Sequence, residues 1–320
     1  MKRHICCCCL ALVVCGGVGR AAAPPVAPAI RSISLAEAAK IALENVGYCV
    51  ERGEDGSLQV SHPSRLGSLE ALRLANQRLL NVEVAYWNLY QWRKALSARE
   101  QAVRGSRELL HLCESRHEEG TASKEEVSLA RKQYRSLRKQ SGAAADVALE
   151  MERQLVALTG LGAGSRLRPS DRPSLAQQRP DWDAALREAI AKRPELRMAR
   201  KDVRSSSPEL QARSLQVLKD QEAKAQNFLE LCYRRLSLNS KQIQSTRAQR
   251  EAFGELLIAR KVQYATGRCS LVELLEAQRF QADAQTQEYA AIGTYNNARA
   301  GFDYGKGTTL DRHHMVFGQR

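Results

Sequence analysis

Aromatic residues make up only 5% of the 320 positions, and proline fills only nine. So few rings deprive a thick globular core of its largest side chains, although 43% hydrophobic residues is enough for apolar packing in one or two domains. Beyond the N-terminal 21 residues no Cys-x-x-Cys occurs, which excludes a redox pair or zinc knuckle of that spacing there. No nucleophile–base pair, phosphate-cradling glycine loop or metal-ligand spacing stands out, so the chain reads as neither an enzyme nor a cofactor or metal protein. His313 and His314 have no third ligand nearby, and His111 and His117, six apart, would not share a helical face. Past the N-terminal segment, no run approaches the ~20 apolar residues of a spanning helix.

What is present begins with an export segment. Lys2 and Arg3 form a basic end, Ile5 to Val18 an apolar stretch, and Gly19 to Pro24 a small-residue region, which together read as a signal peptide over 1–21. A lipid anchor on Cys15 is the alternative, although Val14 stands where a small residue is wanted. Five of the nine cysteines lie in that segment, leaving Cys49, Cys113, Cys232 and Cys269 far apart, with no disulfide readable among them. The remaining chain keeps a net charge of about +11, spread as single charges among acids. No basic patch with interleaved aromatics accompanies it, so nucleic acid is not an expected partner, whereas anionic head groups or acidic proteins are.

The chain is duplicated. Gly120 and Gly267 lie 147 residues apart, and the same offset aligns Glu83 with Glu230, Tyr86 with Tyr233, Glu126 with Glu273 and Gly160 with Gly307. Each unit starts with a short amphipathic helix, from Leu35 and from Trp182, and continues into two long helices around a glycine turn. In the first copy an apolar seam runs Val82, Ala85, Leu89, Trp92, Leu96 and, past the turn, Val127, Ala130, Tyr134, Leu137. Steps of three and four keep one stripe toward a partner helix, the condition for coiled-coil packing. The expectation is an all-α fold of long antiparallel hairpins: a first repeat over 34–160, a Pro/Gly linker over 161–180, a second repeat over 181–307, and a flexible, unpatterned tail over 308–320. Tyr86, Trp87, Tyr90 and Trp92 sit at helical spacing and read as packing residues.

In order along the chain, "SLAEAAKIALEN", "VEVAYWNLY", the G-x-x-S-x-x-E-V tip, "LTGL", "DWDAALREAIAKRPELRMAR" and "YATGRCSLVELLEAQ" resemble the TolC-type outer-membrane efflux (outer membrane factor) family over roughly Ser34 to Leu310. The resemblance implies a homotrimer whose hairpins form a periplasmic tunnel continued by a β-barrel in the outer membrane. It implies passive export of small molecules or proteins, with a periplasmic adaptor and an inner-membrane pump as partners. By position it assigns the tunnel constriction to Tyr264, Arg268, Glu273, Glu276 and Glu126, and adaptor contact to Gly120, Ser123, Gly267 and Ser270. The plain alternative for the two later glutamates is that acids in a first turn favour the positive end of the helix.

One departure stands out. Where the family has strand pairs, this chain offers only "SLQVSH" in the first copy and "VRSSSP" in the second, against the about 9–11 residues of a spanning strand. Two functions are therefore carried forward: a subunit of an export tunnel, and a barrel-less helical interaction or scaffold protein, or inactive remnant, of the periplasm.

Overall fold

A computed structural model describes residues 30–53, 55–62, 67–175 and 180–318. The signal-peptide region and Cys15 lie outside the described residues. The chain folds as β1 (Ile30–Ile33), α1 (Leu35–Glu44), β2 (Cys49–Arg52), β3 (Leu58–Ser61), α2 (Ser68–Glu118), α3 (Lys124–Thr159), β4 (Arg166–Pro169), α4 (Trp182–Lys192), α5 (Pro194–Ser205), α6 (Pro208–Ala265), α7 (Leu271–Lys306), α8 (Thr309–Arg312) and β5 (Met315–Phe317). It is an all-α architecture with short strands, none longer than four residues among those described.

Four rods dominate. At ~1.5 Å per residue, the 51 residues of α2 extend roughly 75 Å and the 58 of α6 somewhat further. α2 packs against α3 and α7, and α7 against α6, so the rods lie in the order α3–α2–α7–α6. The seam residues Val82, Ala85, Leu89, Val127, Ala130 and Leu137 are buried, as steps of three and four require. Tyr86 and Trp87 are buried with their rings edge to face at 5.2 Å, and Trp87 meets Tyr90 in the same way at 5.7 Å.

The short helices close the ends of the rods. α1 buries Ala38, Ala39, Ala42 and Leu43, and Ser34 caps it by accepting from the Glu37 N–H at 3.1 Å. Asp181 caps α4 in the same manner. Each rod pair ends on a left-handed glycine, Gly160 (φ 69°) and Gly307 (φ 75°), seated against the end of its own copy's short helix. A Cβ on Gly160 would meet the Asn45 side chain, and one on Gly307 the backbone of Lys192 and Arg193.

Two small sheets tie distant segments together. β1 pairs in parallel with β4, joining the start of the first repeat to the segment between the repeats. The Tyr86 hydroxyl fixes that crossing: it donates to the Asp171 carboxylate at 2.9 Å and accepts from the Ser170 and Asp171 N–H groups at 3.0 Å. Burial pushes its pKa far above the usual tyrosine value. β2 and β3 form an antiparallel hairpin, and β5 adds to β3 in parallel.

The expected flexible tail is corrected by this last pairing. Residues 308–318 are folded, with Thr309, Leu310, His313 and Met315 buried. The segment is too short for a helical period to show, and it is held by contacts far away in sequence. Glu83 on α2, with no exposed surface, receives His313 Nε2 at 2.9 Å and Arg312 Nε at 3.3 Å, while Arg312 Nη1 reaches Asp303 at 2.7 Å. No disulfide joins the four cysteines among the described residues.

Candidate functional site

The tips of the two hairpins are built alike. Gly120 (φ 75°) and Gly267 (φ 71°) supply the left-handed turn that a side chain at either place would resist. Three residues on, a serine starts the returning helix with a capping box. Ser123 N–H donates to Glu126 Oε2 at 3.0 Å and Glu126 N–H to Ser123 Oγ at 3.2 Å; Ser270 and Glu273 repeat this at 2.9 and 3.3 Å. Both serines are exposed, as are the two glycines.

Around this shared core the tips differ. Glu273 Oε1 lies 3.0 Å from Arg260 Nη1, a residue seven before the glycine facing one six after it. The Ser270 N–H and hydroxyl, with Arg260 behind them, hold the Glu273 carboxyl below the usual glutamate value. By the 147-residue offset the counterpart of Arg260 is Cys113, which is buried and has no charge to offer Glu126. His117 closes the first turn through Nδ1 and the Ala122 carbonyl oxygen at 2.8 Å.

Tyr264, the counterpart of His117, turns inward. It is 8% exposed, its hydroxyl 3.7 Å from Cys113 Sγ and its ring under the Arg116 guanidinium at 5.1 Å. Burial, reinforced by Cys113, pushes its pKa up to about 12. With Leu109, Leu110, Val127, Leu271 and Leu274 it forms the apolar contact that joins the two tips. Arg268 and Glu276 are exposed and have no ion-pair partner among the described residues.

The structure therefore sorts the sequence-derived set. Tyr264 welds the hairpins together, Glu126 and Glu273 cap helices, and Arg268 and Glu276 stand free. Arg260, Cys113 and Arg116 were missed by sequence reasoning. For Arg260 the signal was its near-equal distance from the turn, which places it opposite Glu273 across the hairpin.

No protein-family model and no curated protein matches the sequence. Solved structures match in fold. The CmeC outer membrane channel of Campylobacter jejuni superposes with a TM-score of 0.59 at 13% identity, over 76% of this chain and 65% of that one. The open-state MtrE outer membrane channel of Neisseria gonorrhoeae gives 0.63 at 14% identity, over 86% and 89%. The outer membrane protein VceC of Vibrio cholerae gives 0.59 at 12%, over 75% and 72%. The chain thus spans about two thirds of the CmeC channel's length. At this identity the likeness is one of fold: the long helical hairpins of this chain share the fold of the helical part of the outer-membrane channel proteins, as the TolC-type resemblance implies for the hairpins.

Proposed function

We propose that the chain is one subunit of a ring of copies, three by the resemblance, whose hairpins enclose a passive export tunnel. The carrying observation is the pair of open edges in the α3–α2–α7–α6 layer. The inner rods α2 and α7 bury 16 and 17 residues, whereas α6, the longest helix, buries seven of 58. On α6, Leu238, Ile258 and Val262 are 66%, 66% and 62% exposed. Large apolar residues on an unpartnered helix face call for another surface. An α6 edge meeting the α3 edge of a second copy is a heterologous contact, and such contacts close into rings when the rotation allows. Arg268 and Glu276, free at the tips, are then available to neighbouring copies at the tunnel mouth. Small molecules or secreted proteins are the cargo of this reading, with a periplasmic adaptor and an energised inner-membrane pump as partners.

A second reading, a periplasmic helical scaffold without a barrel, is favoured by one observation: strands of at most four residues among those described, against about 9–11 for a spanning strand. Carbonate extraction of the outer-membrane pellet from cells exporting the native chain separates the two. Retention in the pellet supports the tunnel; release as a soluble species rejects it in favour of the scaffold.

A further inference from the structure

A cavity of about 360 Å³ lies where the two repeats meet, away from the tips, among α1, α2, α7, the part of the inter-repeat segment that follows β4 and the C-terminal turn. Its size suits a small organic ligand. Three arginines, Arg172, Arg299 and Arg312, line it against a single carboxylate, Asp171. Both of the charges that could neutralise one another are already engaged. Arg312 is tied to Glu83 and Asp303, and Asp171 accepts from the Tyr86 hydroxyl and the Leu35 N–H.

Arg172 and Arg299 remain without an ion pair or side-chain hydrogen bond among the described residues. Trp87, 3% exposed, forms part of the wall, and its indole N–H has no acceptor among the described residues. A buried donor without a partner is unusual in a folded chain. The wall is also held rigidly: Asn296, fully buried, accepts from the Ser174 N–H at 3.1 Å and donates to its carbonyl oxygen at 3.2 Å.

Two guanidinium groups and one indole N–H form an excess of donors over acceptors. A lone carboxylate has two oxygens for them, whereas a phosphate monoester has three and carries the dianionic charge that two arginines match. We propose that this cavity binds a small phosphate monoester, its head held by Arg172 and Arg299 and its apolar part against Leu35 and Trp87. The phosphate can belong to a free ester or to a lipid head group.

The test is calorimetric titration of the full chain with phenyl phosphate and, separately, with dihexanoyl phosphatidic acid. Saturable binding is expected, weakened at least tenfold in an Arg172→Gln, Arg299→Gln double variant that melts at the temperature of the native chain. Tighter binding of phenyl phosphate assigns the site to free esters, and tighter binding of the short lipid assigns it to head groups; either supports the proposal when the double variant loses it. Absence of binding for both at millimolar concentration, or equal binding by the double variant, overturns it.

Discussion

The two repeats share one local grammar and occupy two different environments. Their tips use the same turn, the same capping box and glycine φ values of 75° and 71°. Their returning helices, α3 and α7, are both 36 residues long, yet nine residues are buried in the first and 17 in the second. The outgoing rods reverse the pattern, α2 being inner and α6 outer. What differs between the copies is therefore which neighbour each position meets. Glu83 is sealed against Arg312 and His313, while its counterpart Glu230 pairs with Arg234 at the surface. Between short helix and rod, the first copy forms the β2–β3 hairpin and the second forms α5. Duplication preserved what is local, and tertiary contacts diverged.

The sharpest contrast is between the two glutamates. Glu83→Ala leaves His313 buried and Arg312 half-buried beside an empty place, and breaking a buried pair costs about 3–5 kcal/mol. Glu230→Ala removes a surface pair, for which about 0–1 kcal/mol is expected. Urea unfolding of both variants checks this, and equal losses break the comparison.

Next come the closing glycines. Alanine at either left-handed position costs about 1–2 kcal/mol in backbone strain alone. At Gly160 the new Cβ would sit 2.1 Å from the Asn45 side chain, which a second change, Asn45→Ala, relieves. At Gly307 it would lie 3.0 Å from the backbone of Lys192 and Arg193, where no side-chain change helps. Thermal melts should show partial recovery for the Gly160→Ala, Asn45→Ala pair, and a Gly307→Ala loss at least as large as that of Gly160→Ala alone. A full recovery at Gly160 would show that strain at φ 69° is negligible there.

The smallest effect belongs to the tips. Because the Glu273 carboxyl titrates below its unfolded value of about 4.3, the unfolded chain holds more protons in that range. Its contribution is present above that value and is lost as pH falls through the native one. Glu273→Gln should therefore flatten the acid limb of a stability–pH curve, most visibly below about pH 4.3. An acid limb as steep as that of the native chain removes the Ser270–Glu273–Arg260 arrangement from the energetics of the tip.

Legibility follows the same division. The long rods and their glycine turns could be read because each depends on residues within a turn or two: Gly120 and Gly267 at the turns, and Val82 with Ala85 and Leu89 along the seam. The folded C-terminal segment could not, since Arg312 and His313 find Glu83 across some 230 residues. Nor could β1 on β4, a four-residue pairing fixed by Tyr86 from a third element. At the site, Tyr264 was legible as important by position but not in direction. Its inward turn depends on Cys113 and Arg116, which belong to the other hairpin. The order α3–α2–α7–α6 was likewise hidden, because an apolar seam says that a helix needs neighbours and not which ones.

The open edges of that layer are the centre of the functional account. The most direct measurement is the mass of the full chain purified in mild detergent, by light scattering on a sizing column, for the native protein and for a Leu238→Glu, Ile258→Glu variant. The account predicts a closed assembly of three copies for the native chain, and single copies with unchanged helical circular dichroism for the variant. A native chain that stays a single copy at every concentration, or a variant that assembles as before, would contradict it.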